Sequence, residues 1–220
     1  MSEAQNARNT RTQTHSGKMF DIFNPTPEDI CIEDIAHALA MQCRFNGHTK
    51  EFYSVAEHSL NVARIVNHLT SDPKTVMHAL MHDAHEAYLG DLPGPWADKI
   101  LFYDNDKSYT RKQFVYRIDN AIMEALDLRW IESESKELVG YADLAMLLNE
   151  KGQALAVNNI PWSTDSFVVQ SKHLLTKLEF FKPAEACFNF LKAYEEITKC
   201  LQTGQPVSSL PVLSLSHLRT

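Results

Sequence analysis

The stretches Tyr53–Val66 (YSVAEHSLNVARIV) and Ala79–Pro95 (ALMHDAHEAYLGDLPGP) decide how this chain folds. Ser54 is a helix-capping residue type, and Glu57 stands three positions on, the spacing of a capping box. Leu60, Ala63 and Val66 then recur at helical intervals, so the spacing predicts a helix from Ser54 to Thr70. Asp72-Pro73 opens a second helix, carried through Val76, Leu80 and Met81 as far as Leu89 and stopped by Gly90. The run Asp91-Leu92-Pro93-Gly94-Pro95 must turn.

Working outward, Thr26-Pro27-Glu28-Asp29 reads as an earlier helix start, with Ile32, Ile35, Ala36 and Leu39 at helical spacing and an end near Cys43. Residues 45–54 read as a loop, and further helices are expected at 107–127, 133–153 and 183–202. Residues 154–170, with Asn158, Asn159 and Pro161, read as a long connection with room for a short strand. The expected fold is all-α, a compact helical bundle over residues 19–203. A polar, flexible tail is expected at 1–18, and a Ser/Pro/Leu-rich tail at 204–220 that drapes over the surface or packs on a neighbouring subunit.

The 220 residues are 44% hydrophobic, enough for a sizeable core. A net charge of -7 argues against broad nucleic-acid binding, while leaving room for a small anion held by a few local cations. Cys31, Cys43, Cys187 and Cys200 form no C-x-x-C pair, so they read as free thiols in apolar surroundings. No apolar run is long enough for a membrane span, and residues 1–18 do not read as a signal peptide, so a cytoplasmic protein is expected.

The chemistry is carried by His58, His82-Asp83 and Asp143. Asp143 sits beside the stripe Leu138, Ala142, Ala145 and Leu148 in ELVGYADLAMLLNE, where a carboxylate faces the core or a cleft and needs a partner. Two imidazoles and two carboxylates suit one divalent cation such as Co²⁺, Mn²⁺, Zn²⁺ or Mg²⁺. Glu86 lies one helical turn from His82, placed to take a proton from water. Asp91 follows one short turn later, at the rim of the same expected cleft. Arg44, with Phe45 beside it and His48 and Lys50 following, offers a guanidinium for phosphate, a ring for stacking and extra charge for a longer phosphate tail. His78 and His85 are candidates for a second metal, although their spacing matches no familiar ligand pattern. H-E-x-x-H, the P-loop and G-x-G-x-x-G are all absent.

YSVAEHSLNVARIV, ALMHDAHEAYLGDLPGP and YADLAMLL together resemble the HD-domain phosphohydrolases, over roughly Phe20 to Glu150. Within them the chain resembles the branch of bacterial 5′-deoxynucleotidases and phage deoxynucleoside triphosphate hydrolases. The resemblance implies a helical HD-domain bundle and metal ligands at His58, His82, Asp83 and Asp143. It also implies a catalytic Glu86, a substrate-contacting or proton-shuttling Asp91 and a phosphate-binding Arg44. The deoxynucleotidases often carry Arg-Trp where this chain has Arg44-Phe45.

The expected activity is hydrolysis of a deoxynucleoside triphosphate, with dATP favoured, to deoxynucleoside and triphosphate. A 5′-deoxynucleotidase acting on monophosphates is the alternative. A nucleotide-binding module without turnover is the alternative of another class. Leu210, Val212 and Leu213 suit a homo-oligomer, as is common among such enzymes.

Overall fold

Polar residues pair before any long helix begins. In the computed structural model, which describes residues 10–104, 106–128, 131–166 and 177–210, strand β1 (Arg11–Gln13) runs antiparallel to β2 (Met19–Asp21) with Thr12 opposite Phe20. The expected tail therefore has structure from residue 10 onward. Its turn is fastened to the body by Asp34, whose carboxylate accepts from the Thr14 hydroxyl (2.7 Å) and from the Ser16 N–H (2.6 Å) and hydroxyl (2.7 Å).

Asp34 belongs to α1 (Ile32–Met41), preceded by a single 3-10 turn at Pro27–Asp29 where one continuous helix was expected. Helix α2 (Val55–Leu69) is the axis of the molecule, buried on nearly every side and packed against neighbours before and after it in the chain. The Ser54 hydroxyl caps it by accepting from the Glu57 N–H, but the second half of the expected capping box is not made. The Glu57 carboxylate is buried and accepts instead from the N–H groups of Glu179 (2.8 Å), Phe180 (3.0 Å) and Phe181 (2.8 Å).

The helix expected from Asp72 to Leu89 is two. Helix α3 (Pro73–Met81) ends at His82, and α4 (Glu86–Leu89) starts after a turn. Between them the backbone tightens: Ala84 N–H donates to Met81 O and Glu86 N–H to Asp83 O, both across three residues. Gly90 ends α4 at φ 84°, a left-handed conformation suited to glycine.

The Asp91–Pro95 turn leads into α5 (Gly94–Ala97) and a hairpin of β3 (Leu101–Asp104) and β4 (Lys107–Thr110). The helix expected from residue 107 thus begins only at α6 (Arg111–Ala125), behind a capping box of Thr110 and Gln113. Helices α7 (Ser133–Gln153) and α8 (Pro183–Thr203) stand where the periodicity places them.

The architecture is mostly helical, with two small two-stranded sheets where none was expected. Helices α1, α3, α7 and α8 surround α2, and their inward faces form the core with Leu39, Leu60, Leu80, Met146 and Phe190. Residues 154–166 contain no strand, and 167–170 lie outside the described residues. Val207 and Leu210 of the expected C-terminal tail are buried against the chain's own body, and the Val207 N–H donates to Ser71 O. Val212 and Leu213 lie outside the described residues. No helix among the described residues is long and apolar enough to cross a membrane. All four cysteines are free; Cys200 is buried and the others half-buried.

Candidate metal centre

Three segments converge on one point. Helix α2 brings His58 from the core, the α3–α4 junction brings His82 and Asp83, and α7 brings Asp143. His58 Nε2 lies 3.3 Å from His82 Nε2, 3.5 Å from Asp83 Oδ2 and 3.1 Å from Asp143 Oδ1. His82 Nε2 lies 3.2 Å from Asp83 Oδ2 and 3.8 Å from Asp143 Oδ1. Donors held about 2.1 Å from one ion sit about 3.0–3.4 Å apart in octahedral or tetrahedral arrangement. Three of the five separations fall in that range and the other two, 3.5 and 3.8 Å, lie just above it, while Asp143, its side chain 45% exposed, leaves one side open.

The far nitrogens of both rings are spoken for. His58 Nδ1 meets Glu150 Oε1 at 2.6 Å, and His82 Nδ1 meets the Ala79 carbonyl at 2.8 Å. Both Nδ1 atoms therefore carry a proton, so the two facing Nε2 atoms are left to receive any further positive charge, whether an added proton or a metal ion. Lone pairs 3.3 Å apart repel unless positive charge lies between them. The electrostatics agree. Burial disfavours the His82 cation, but Asp83 and Asp143 outweigh it and push the group well above the usual histidine range. Burial and Arg44 likewise act against a charged His58, but Glu150 and Asp143 raise it. Burial acts against charge on Asp83 and Asp143 too, yet the two imidazoles hold both carboxylates below their ordinary range. The donor set fits one divalent cation.

Arg44 reaches the same place from the end of α1. An isolated bridge between Cys43 and Ser54 holds its backbone beside the start of α2. Its guanidinium lies 3.1 Å from Glu150 Oε2 and 3.7 Å from Asp83 Oδ2, and its Nε is buried without a hydrogen-bond partner. Burial alone would lower this cation, but Glu150, Asp83 and Asp91 keep it firmly charged. Phe45 and Asn46 follow at φ 54° and 53°, and a bulky residue held there stores backbone strain. Asp91 Oδ2 holds the turn by accepting from the Phe45 N–H at 3.1 Å. Gln42 completes the clamp, donating to Glu86 O (2.9 Å) and accepting from the Asp91 N–H (3.0 Å). In this structure Asp91 thus positions the Arg44–Phe45 turn.

The other expected groups are placed less uniformly. The Lys50 ammonium lies 3.4 Å from Gln153 O, at the end of α7, so its charge serves a helix terminus and not the cluster. His48 is exposed at the end of the turn. His78 does not join His85: it lines a separate cavity with Lys74, Met77 and Leu201. Glu86 is buried next to Asp83, with Oε2 unpartnered and Oε1 3.7 Å from Arg111 Nη2. Burial, Asp83 and Asp91 push this carboxyl up to about 9.

Glu150, Gln42, Arg111, Asp119 and Trp162 were not singled out from the sequence. Glu150 had a signal, because it stands seven residues after Asp143 and so shares its helix face. Trp162 lies over Lys151 Nζ at 4.8 Å and 6.5 Å from the Phe45 ring. It borders a cavity of about 390 Å³ with Leu148, Leu155 and Val157. A larger cavity of about 510 Å³, lined by Phe23, Tyr109 and Arg117, contains none of the site residues.

No family model matches the chain. An uncharacterized Rhodobacter capsulatus protein is 46% identical over 84 residues, 36% of this chain and 43% of that protein. The Escherichia coli (strain K12) protein YfdR, also uncharacterized, is 37% identical over 139 residues, 63% of this chain and 69% of YfdR. The chain belongs to the same family as YfdR.

Proposed function

We propose that the protein is a metal-dependent phosphohydrolase of deoxynucleotides, of the HD-domain kind. The observation that carries this reading is the set His58 Nε2, His82 Nε2, Asp83 Oδ2 and Asp143 Oδ1, in which the two Nε2 atoms lie 3.1–3.8 Å from each other and from the carboxylate oxygens, with both imidazoles fixed from behind. A divalent cation held by these four residues would supply Lewis-acid polarisation of a phosphoryl oxygen. Glu86 moves the proton: its free Oε2 can pass one to a leaving alkoxide, and once ionised can take one from water. Glu150 orients His58 and holds Arg44, whose unmet Nε–H is a donor for a phosphate oxygen. Asp91 keeps the Arg44–Phe45 turn in place, and Phe45 with Trp162 offers aromatic faces for the nucleoside.

The triphosphate preference, with dATP in first place, rests on the resemblance and on Arg44, His48 and Lys50. Because Lys50 serves the end of α7, that support is reduced, and this observation favours the monophosphate 5′-deoxynucleotidase as a second reading. Incubating the protein with each dNTP and dNMP and Co²⁺, Mn²⁺, Mg²⁺ or Zn²⁺ tests both. Deoxynucleoside with intact triphosphate supports the first, and phosphate released from dNMP alone supports the second. Nucleotide binding without turnover in any metal would overturn both and leave a binding module; Glu86→Ala is expected to bind nucleotide and lose turnover.

A further inference from the structure

We infer that Arg111 is the principal anion-binding cation of this site, donating to the non-bridging oxygens of a bound phosphate; this deepens the phosphohydrolase reading and rests on it. Arg111 opens α6 directly after the Thr110 cap, so its backbone is fixed. Its guanidinium reaches the α3–α4 junction, with Nη2 3.5 Å from His85 Nε2 and 3.7 Å from Glu86 Oε1. Asp119 Oδ1 lies 3.3 Å from His85 Nδ1, which has no hydrogen-bond partner of its own, so the carboxylate flanks the ring on the side away from Arg111. His85 thus stands beside one nitrogen of the guanidinium.

The rest of the group is uncommitted. Arg111 Nε is buried with no hydrogen-bond partner, and so is Glu86 Oε2. A structural ion pair would close these gaps, since guanidinium and carboxylate form two parallel bonds at about 2.7–2.9 Å. Here the groups stop at 3.7 Å, leaving a donor and an acceptor unmet. A ligand that accepts from Arg111 and donates to Glu86 satisfies both, as a phosphate with an adjacent hydroxyl or water does.

The distribution of charge points the same way. Arg44 already faces two carboxylates, Glu150 at 3.1 Å and Asp83 at 3.7 Å. Among the described residues, Arg111 is paired only with Glu86. Asp83, His85 and Glu86 also bring ligand atoms near one another, in the manner of a second metal site. The guanidinium lies beside two of these three residues, His85 and Glu86, so the protein itself already supplies a positive charge there.

The test titrates inorganic phosphate and inorganic triphosphate into the Mg²⁺-loaded protein by calorimetry. It compares wild type with Arg111→Gln and Arg111→Lys, and Mg²⁺ titration and nucleotide hydrolysis are measured alongside. The expected result is phosphate binding weaker by about tenfold to a hundredfold in Arg111→Gln, with Mg²⁺ binding retained. Unchanged phosphate affinity in Arg111→Gln, while wild type hydrolyses nucleotides, overturns the inference and leaves the phosphohydrolase reading standing. A wild type that neither binds phosphate nor hydrolyses any nucleotide overturns that reading and this inference with it. Should Arg111→Gln fail to fold, Arg111→Lys decides. It keeps the charge and loses the fork, so severalfold weaker phosphate binding supports the inference and unchanged binding overturns it.

Discussion

Glu150 shows how a residue that would touch neither metal nor substrate can govern a site. One oxygen faces His58 Nδ1 and the other faces Arg44, with the whole side chain buried. Burial disfavours its charge, but Arg44 and His58 hold it below the usual glutamate range. Glu150→Gln is expected to lower divalent-metal affinity by about 10- to 100-fold, read by metal titration with the fold checked by circular dichroism. Asp91→Ala should release the strained Phe45 turn at a cost of about 1–3 kcal/mol, measured by urea denaturation. The ordered set His58, His82-Asp83, Asp143 was legible because residue type and chain order are themselves written in the sequence. The left-handed backbone at Phe45 was not, because nothing local marks an aromatic residue for that conformation; only the distant Asp91 makes it hold.

At the scale of elements, long amphipathic helices were legible and short or strained pieces were not. Helices α7 and α8 have extended apolar periodicity. The break between α3 and α4 keeps nearly helical backbone, so the hydrophobic pattern runs through it unaltered while the hydrogen bonds shorten their reach. Strands β1 and β4 are polar, and β3, with Leu101 and Tyr103 exposed, buries too little to mark an inward face, so none leaves a period-two trace. Glu57 was read as half of a local box, yet it ties α2 to residues 179–181. Glu57→Ala leaves three backbone donors unmet and is expected to destabilise by at least about 2 kcal/mol, measured by urea denaturation. Asp34 acts similarly for the β1–β2 turn. Burial raises its pKa, but the bonds from Thr14, Ser16 and Cys31 outweigh burial and lower it. Its stabilising effect is therefore full above the unfolded-state value of about 3.9 and is lost as pH falls through the lower folded value. Asp34→Asn should cost about 1–2 kcal/mol near neutral pH, and the gap from wild type should narrow below about pH 4 in acid titrations of stability.

For the whole molecule, the candidate centre joins α2, the α3–α4 junction and α7, so filling it should stabilise the fold as a unit. Adding Mn²⁺ or Zn²⁺ at about 100 times its dissociation constant is expected to add about 2.7 kcal/mol. A raised melting temperature in wild type, absent in Asp143→Asn, would show it; equal shifts in both would place the ion elsewhere. Helix α7 carries Asp143 and Glu150 on one face, two turns apart, the first half-exposed and the second buried. The seven-residue step between them is therefore a ruler. One residue inserted within it would swing the two carboxylates about 100° out of alignment, so no single side chain would be lost and the centre would still come apart. Descendants of this chain can lengthen the 154–166 connection far more easily than they can change the count between those two acids.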